Sequence, residues 1–134
     1  MEQSQVKEFF RATGRRKESS ARVILIKGSG KILVNGQTLE VYFKRKTLEK
    51  ILVQPLECTN TVSKFDITAE VIGGGIAGQA DAIKLGIARA LVQSDETLKK
   101  ILRKGGFLTR DPREHERYKY GHAGRRKRFQ FSKR

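Results

Sequence analysis

Asp66-Ile67-Thr68-Ala69-Glu70-Val71-Ile72, then Gly73-Gly74-Gly75, then Ile76-Ala77-Gly78-Gln79-Ala80-Asp81-Ala82-Ile83: the fold is decided in this stretch. Up to Ile72 the apolar residues alternate. Ile67, Ala69 and Val71 share one side and Asp66, Thr68 and Glu70 the other, the pattern of a half-buried strand. After the glycines the period lengthens. Ile76, Ala80, Ile83, Ile87 and Ala90 or Leu91 recur at helical spacing, and Ala77, Ala82 and Ala88 are good helix formers. A strand that turns on glycines into a long helix predicts a sheet with a helix laid on it.

Towards the N-terminus, Val6, Phe9 and Phe10 predict an opening strand. Arg22-Val23-Ile24-Leu25-Ile26-Lys27 is a short β-branched run bounded by Gly28 and Gly30, which favours a buried strand. Gly28-Ser29-Gly30 then predicts a tight turn, with Lys31-Ile32-Leu33-Val34 as hairpin partner and Asn35-Gly36 as a second turn. From Gln37 to Leu52 the spacing of Leu39, Phe43, Thr47 or Leu48, and Ile51 or Leu52 predicts one or two short helices stopped by Pro55. Towards the C-terminus, Ser94-Asp95-Glu96-Thr97 carries N-cap chemistry, Leu98, Ile101 and Leu102 make a helical stripe, and Gly105-Gly106 ends it. The expected fold class is α+β: a mainly antiparallel four-stranded sheet with helices on one face, spanning residues 1–108. Residues 109–134 contain Pro112, Gly121, Gly124, few aliphatics and many cations, so they are expected as an extended basic tail.

Gly73, Gly75 and Gly78 satisfy G-x-G-x-x-G between a strand and a helix, the setting of a dinucleotide-binding loop. A small nucleotide-binding enzyme using Gly73–Gly78 is therefore the rival reading. Against it, Asp95 and Glu96 stand near the distance of the ribose-binding acid but open a helix, and the chain is short for a second half-sheet. The simpler reading is that these glycines allow a left-handed exit from the strand and close helix–sheet packing. A phosphate at this helix N-terminus could equally belong to RNA.

Catalytic and metal chemistry find little footing. Cys58, His115 and His122 share no ligand spacing, and Asp111, Glu114 and Glu116 sit among Arg110, Arg113 and Arg117, where ion pairs are the simpler use. No enzyme activity, metal or cofactor is expected. The single cysteine excludes an intramolecular disulfide and fits a reducing compartment. The opening Met1-Glu2-Gln3-Ser4 resembles neither a signal nor a transit peptide, and no apolar run is long enough to span a bilayer, so no membrane partner is expected.

Charge points to the partner. The formal net charge is +15 over 134 residues, far beyond what solubility needs, so a polyanion is the natural neutralising surface. Residues 99–134 carry 14 Lys and Arg against three acids, whereas residues 1–98 carry 15 against 11. A smaller basic segment holds Arg11, Arg15, Arg16, Lys17, Arg22, Lys27 and Lys31 against Glu18 alone. In the tail, Arg125-Arg126-Lys127-Arg128 precedes Phe129-Gln130-Phe131-Ser132-Lys133-Arg134. Guanidinium groups grip phosphate in pairs, and Tyr118, Tyr120, Phe129 and Phe131 can stack on unpaired bases. At about 3.3 Å per extended residue, Gly121 to Arg134 reaches on the order of 45 Å. A free architectural nucleic-acid binder is a further alternative.

Several blocks now carry a resemblance. They are Thr13-Gly14-Arg15-Arg16-Lys17, the Gly28–Gly36 hairpin segment, Gly73–Ile83, Gly86-Ile87-Ala88-Arg89-Ala90-Leu91, Gly106–Arg113 and the closing Gln130-Phe131-Ser132-Lys133-Arg134. In this order they resemble the family of the ninth protein of the small ribosomal subunit, of bacterial or organellar type, over nearly the whole chain from about Phe10. The chain departs from the family at Tyr118 and at His122-Ala123-Gly124.

The resemblance implies an α+β body with an unusual left-handed β-α-β crossover, held by ribosomal RNA in the subunit head beside neighbouring head proteins. It implies that Arg15, Arg16, Lys17, Arg110, Arg113, Arg117, Lys119, Arg125, Arg126, Lys127 and Arg128 serve ribosomal RNA. It also implies that Ser132, Lys133 and Arg134 reach peptidyl-site transfer RNA during translation. The expected location is the cytoplasmic ribosome, with an organellar ribosome left open.

Overall fold

The computed structural model describes residues 9–113 and 120. Val6 and most of the basic tail, from residue 114 onward except Tyr120, lie outside the described residues. The chain runs β1 (Phe9–Arg16), β2 (Ser19–Lys27), β3 (Ile32–Val34), β4 (Gln37–Thr38), α1 (Leu39–Tyr42), α2 (Lys46–Cys58), β5 (Phe65–Ile72), α3 (Ile76–Ser94) and α4 (Leu98–Lys104). This is α+β as expected, but the sheet has five strands in the order β1-β2-β5-β3-β4 and is mixed.

The difference lies in the partner of β3. Gly28-Ser29-Gly30 does not close a β2–β3 hairpin. Strand β5 stands between them, antiparallel to β2 and parallel to β3. Two effects favour this arrangement. β5 offers β2 an eight-residue ladder, from Ser20↔Ile72 to Lys27↔Phe65, where β3 is only three residues long. In addition, one carboxylate gathers the turn: Asp66 Oδ1 accepts the backbone N–H groups of Ser29, Gly30 and Lys31, each at 3.0 Å. The chain thereby wraps around the start of β5, and Ile67 N–H donates to Lys31 O at 2.8 Å. The chain between the parallel neighbours β3 and β5 passes through β4, α1 and α2, which makes a β-α-β crossover.

Asn35-Gly36 does make its turn. Asn35 and Gly36 have φ of 50° and 78° and join β3 to the short β4. The Asn35 side chain continues the parallel ladder where β3 stops. Its Oδ1 accepts Val71 N–H at 2.9 Å and its Nδ2 donates to Val71 O at 3.1 Å. Pro55 does not stop α2, which continues to Cys58 with Pro55 buried inside it. A proline this close to the C-terminus forfeits one backbone bond, and its ring is buried in the same helix as Leu52 and Leu56, both buried as well. Thr59 Oγ1 donates to Pro55 O at 3.0 Å, satisfying a terminal carbonyl.

The core lies between one face of the sheet and the helices. Ala21, Val23 and Leu25 of β2, and Ile67, Ala69 and Val71 of β5, are buried with Val34. Against them lie Ala80, Ile83, Ile87, Ala90 and Leu91 of α3 and Leu48, Leu52 and Leu56 of α2. Each large aliphatic so buried contributes roughly 1.5–3 kcal/mol. The predicted stripe of α3 holds except at Ile76, which is 54% exposed at the first turn, and Ile101 of α4 also faces outward. α4 ends as expected at Gly105-Gly106, where Phe107 N–H donates back to Leu102 O at 3.0 Å.

Candidate nucleic-acid interface

Because the described helices cover one face of the sheet, the side chains of opposite phase are left uncovered. On β1 the outward phase is Phe9, Arg11, Thr13 and Arg15, all exposed; on β2 it includes Arg22 and the half-buried Ser20 and Ile24. The register sets Arg11 opposite Ile24, Thr13 opposite Arg22 and Arg15 opposite Ser20. Arg22 in turn faces Glu70 of β5. A shallow groove of about 470 Å³ runs over this face between Arg11, Thr13, Arg22, Ile24, Thr68 and Glu70. The Arg11 guanidinium lies 4.9 Å from the centre of the Phe9 ring, which orients it by a cation–π contact while leaving its donors available. Lys17 stands at the tip of the β1–β2 turn, with φ of 52°. One acid of the neighbouring strand is already engaged by backbone donors. Asp66 is committed to three backbone donors, the Lys31 N–H foremost, and these hold its carboxyl below the usual range.

Arg15 and Arg16 are neighbours in sequence but point opposite ways, since a strand alternates. Arg15 is exposed, whereas the Arg16 side chain is only 21% exposed and turns inward to Asp81 of α3. The other end of its guanidinium is 3.4 Å from Asp111 Oδ2. Asp111 also takes a bidentate grip from Arg113, with Nε at 2.9 Å and Nη2 at 2.6 Å, and its carboxyl is held far below the usual range chiefly by that side chain. Lys84 Nζ lies 3.5 Å from Asp81, and burial lowers its pKa. Arg110 is half-buried just before this cluster. Arg117, Lys119, Arg125, Arg126, Lys127, Arg128, Ser132, Lys133 and Arg134 lie outside the described residues. Reading charge runs singled out neither Arg11 nor Arg22 as an interface residue. The signal was available in strand alternation, which places both on the outward phase with Arg15.

The Gly73–Gly78 loop is arranged for turning and packing. Gly73 and Gly74 have φ of 76° and 65°, which an L side chain rarely adopts, and a Cβ on Gly78 would stand 3.1 Å from Ser19 Oγ. Gly73 O accepts from Ser19 Oγ at 3.0 Å and from Gln79 Nε2 at 3.1 Å. The only parallel neighbour of β5 is β3, which precedes it, and α3 leads into α4 with no further strand among the described residues. The half-sheet that a dinucleotide fold places after this helix is therefore not formed among the described residues. Among the described residues no group of His, Cys, Asp and Glu could hold a metal, and no helix is long and apolar enough to cross a membrane.

A sheet covered on one side by helices and carrying Arg11, Arg15 and Arg22 on the other, in a chain whose C-terminal segment is strongly basic, has the charge distribution expected of a polyanion binder. Comparison with known proteins gives the family. The model of ribosomal protein S9/S16 matches residues 14–134. The small ribosomal subunit protein uS9 of Maridesulfovibrio salexigens is 54% identical over 128 residues, covering 96% of this chain and 98% of its own length. That of Gemmatimonas aurantiaca is 57% identical over 127 residues, covering 95% and 98%. The chain belongs to the ribosomal protein S9/S16 family.

Proposed function

We propose that the chain is a non-enzymatic structural constituent of the small ribosomal subunit that binds ribosomal RNA in the subunit head, among neighbouring head proteins, in the cytoplasm. The body, residues 1–108, meets RNA through the uncovered sheet face, with Arg11, Arg15 and Arg22 and the turn residue Lys17 as phosphate contacts. The segment 109–134 runs along ribosomal RNA, and Ser132, Lys133 and Arg134 touch peptidyl-site transfer RNA. The β3-to-β5 crossover is left-handed, as the family resemblance implies, against the strong general preference for right-handed crossovers. The observation that carries the reading is the one-sided helix layer, which leaves Arg11, Arg15 and Arg22 on a continuous exposed strand surface.

The test is binding to small-subunit particles reconstituted without this protein, over a range of salt. Each phosphate contact contributes roughly 0.7–0.9 to the slope of log affinity against log salt. Changing Arg11, Arg15 and Arg22 together to Gln should flatten that slope by about 2–3. In the same assay, trimming Lys133 and Arg134 should leave particle binding intact and weaken retention of transfer RNA. An unchanged slope in the triple variant, or equal affinity of the parent protein for duplex DNA, contradicts the reading.

A further inference from the structure

We propose that Arg16, Asp81 and Asp111 form a clamp that fixes where the basic C-terminal segment leaves the body, making Arg16 and Asp111 positioning residues for RNA binding rather than RNA contacts. The inference rests on the reading that this segment binds RNA.

Three distant parts of the chain meet here. Arg16 closes β1, Asp81 and Lys84 lie on α3, and Asp111 and Arg113 lie beyond α4. The Arg16 guanidinium, from the first of these, bridges the other two through its two Nη groups, pairing with Asp81 on one side and Asp111 on the other. Among the described residues its Nε is buried without a hydrogen-bond partner, so the contacts described for this guanidinium run through its two Nη groups. A small pocket of about 70 Å³ between Arg16, Asp81, Lys84, Phe107 and Asp111 shows how closely the segment root is drawn onto the helix.

A purely electrostatic role for Asp111 would work against RNA binding. An acid at the root of the most basic stretch repels phosphate, and by itself it lowers affinity. Here it is saturated from two sides. Arg16 ties it to the body, and Arg113 folds back on it through the side chain and through a backbone N–H at 3.0 Å. The arrangement holds Arg16 inward and ties the exposed Arg113 to an acid, a cost to phosphate contact that makes sense if the gain is direction. A tethered segment aimed at its site binds at higher effective concentration than one free to swing.

The test sets sign against sign. Asp111→Asn removes a negative charge and frees Arg113, while Arg16 keeps its pair with Asp81, so if charge alone governed binding it would tighten. The clamp predicts the reverse: about a tenfold loss of affinity for small-subunit particles reconstituted without the protein, following the general gain from preorganised tethering. Asp111→Glu, which restores the acid, should recover most of it. Affinity for the Asn variant equal to or above that of the parent overturns the clamp. If Asp111→Asn fails to fold, insertion of Gly-Ser-Gly after Arg113 keeps every clamp residue and the net charge while uncoupling direction. That insertion should cost a similar factor, and unchanged affinity overturns the proposal. Failure of the parent protein itself to bind the particles would instead sink the RNA-binding reading and the clamp with it.

Discussion

Gly14→Ala should be among the most damaging single-methyl changes in this protein, although it adds the smallest possible side chain to an ordinary strand position. Gly14 lies where β1 passes over α3. A Cβ there would press on the Ala82 carbonyl and stand 2.5 Å from the backbone nitrogen of Gly86. Ordinary contact begins near 3.4 Å, so strand and helix must part by more than about 1 Å, and both obstacles are backbone with no rotamer to turn away. α3 cannot shift alone. It carries Ile83, Ile87 and Leu91, all fully buried, and a gap of that size forfeits a quarter to a half of each facing dispersion contact. Overpacking costs about 1–3 kcal/mol, and a backbone-on-backbone clash belongs at the upper end. Alanine returns roughly 0.5–1 kcal/mol through the less flexible unfolded chain. The net is a loss of about 2–2.5 kcal/mol. At about 4 °C per kcal/mol for a domain of this size, the melting temperature should fall by roughly 8–10 °C. Urea denaturation and thermal melting followed by circular dichroism measure both quantities. Gly75→Ser is the control, because φ is −89° there and a Cβ meets nothing within 4 Å. It should be neutral or gain a few tenths of a kcal/mol by capping α3. A Gly14→Ala variant that melts within about 2 °C of the parent would show that β1 and α3 are not in the close approach described.

Two further outcomes are expected. Asp66 is stabilised as the carboxylate by three backbone donors, so its contribution is full above the unfolded value of 3.8 and is lost as pH falls below it. Asp66→Asn should therefore lower the urea midpoint at neutral pH and flatten its decline below pH 3.8, and parallel pH curves would contradict the capping role. Asn35→Ala removes both partners of Val71 from the end of the parallel ladder and puts alanine at φ of 50°. A loss of about 2–4 kcal/mol in urea denaturation is expected, from unsatisfied backbone groups plus the left-handed conformation. Hydrogen exchange at the Val71 amide should accelerate in the same variant, and unaltered protection would show that the side chain is not its partner.

How far the fold could be read in advance depended on the range over which each decision is made. The alternation from Asp66 to Val71, the helical period from Ala80 to Leu91 and the Asn35-Gly36 turn are decided by neighbours, and the structure keeps them. The pairing of β3 is not local. Gly28-Ser29-Gly30 between two apolar runs fits a hairpin, and nothing within it announces that Asp66 will collect its N–H groups from some 35 residues away. β2 accepts the longer partner, so a segment with sound hairpin chemistry becomes the parallel neighbour of a strand that arrives later.

The interface divides along the same line. A run such as Thr13-Gly14-Arg15-Arg16-Lys17 reads as one basic cluster when charges are summed along the chain, but a strand sends consecutive side chains to opposite faces. Alternation separates Arg15 from Arg16 and adds Arg11 to the outward group. What it cannot supply is the occupant of the inward side. Only the packing of α3 under β1 brings Asp81 to Arg16, and only the return of the chain after α4 brings Asp111. A cation that looks interchangeable with its neighbour in a charge count is thus committed to an internal acid pair. In the proposed interface the body therefore contributes the strand phase that carries Arg11, Arg15 and Arg22, with Lys17 at the turn, and not the inward Arg16.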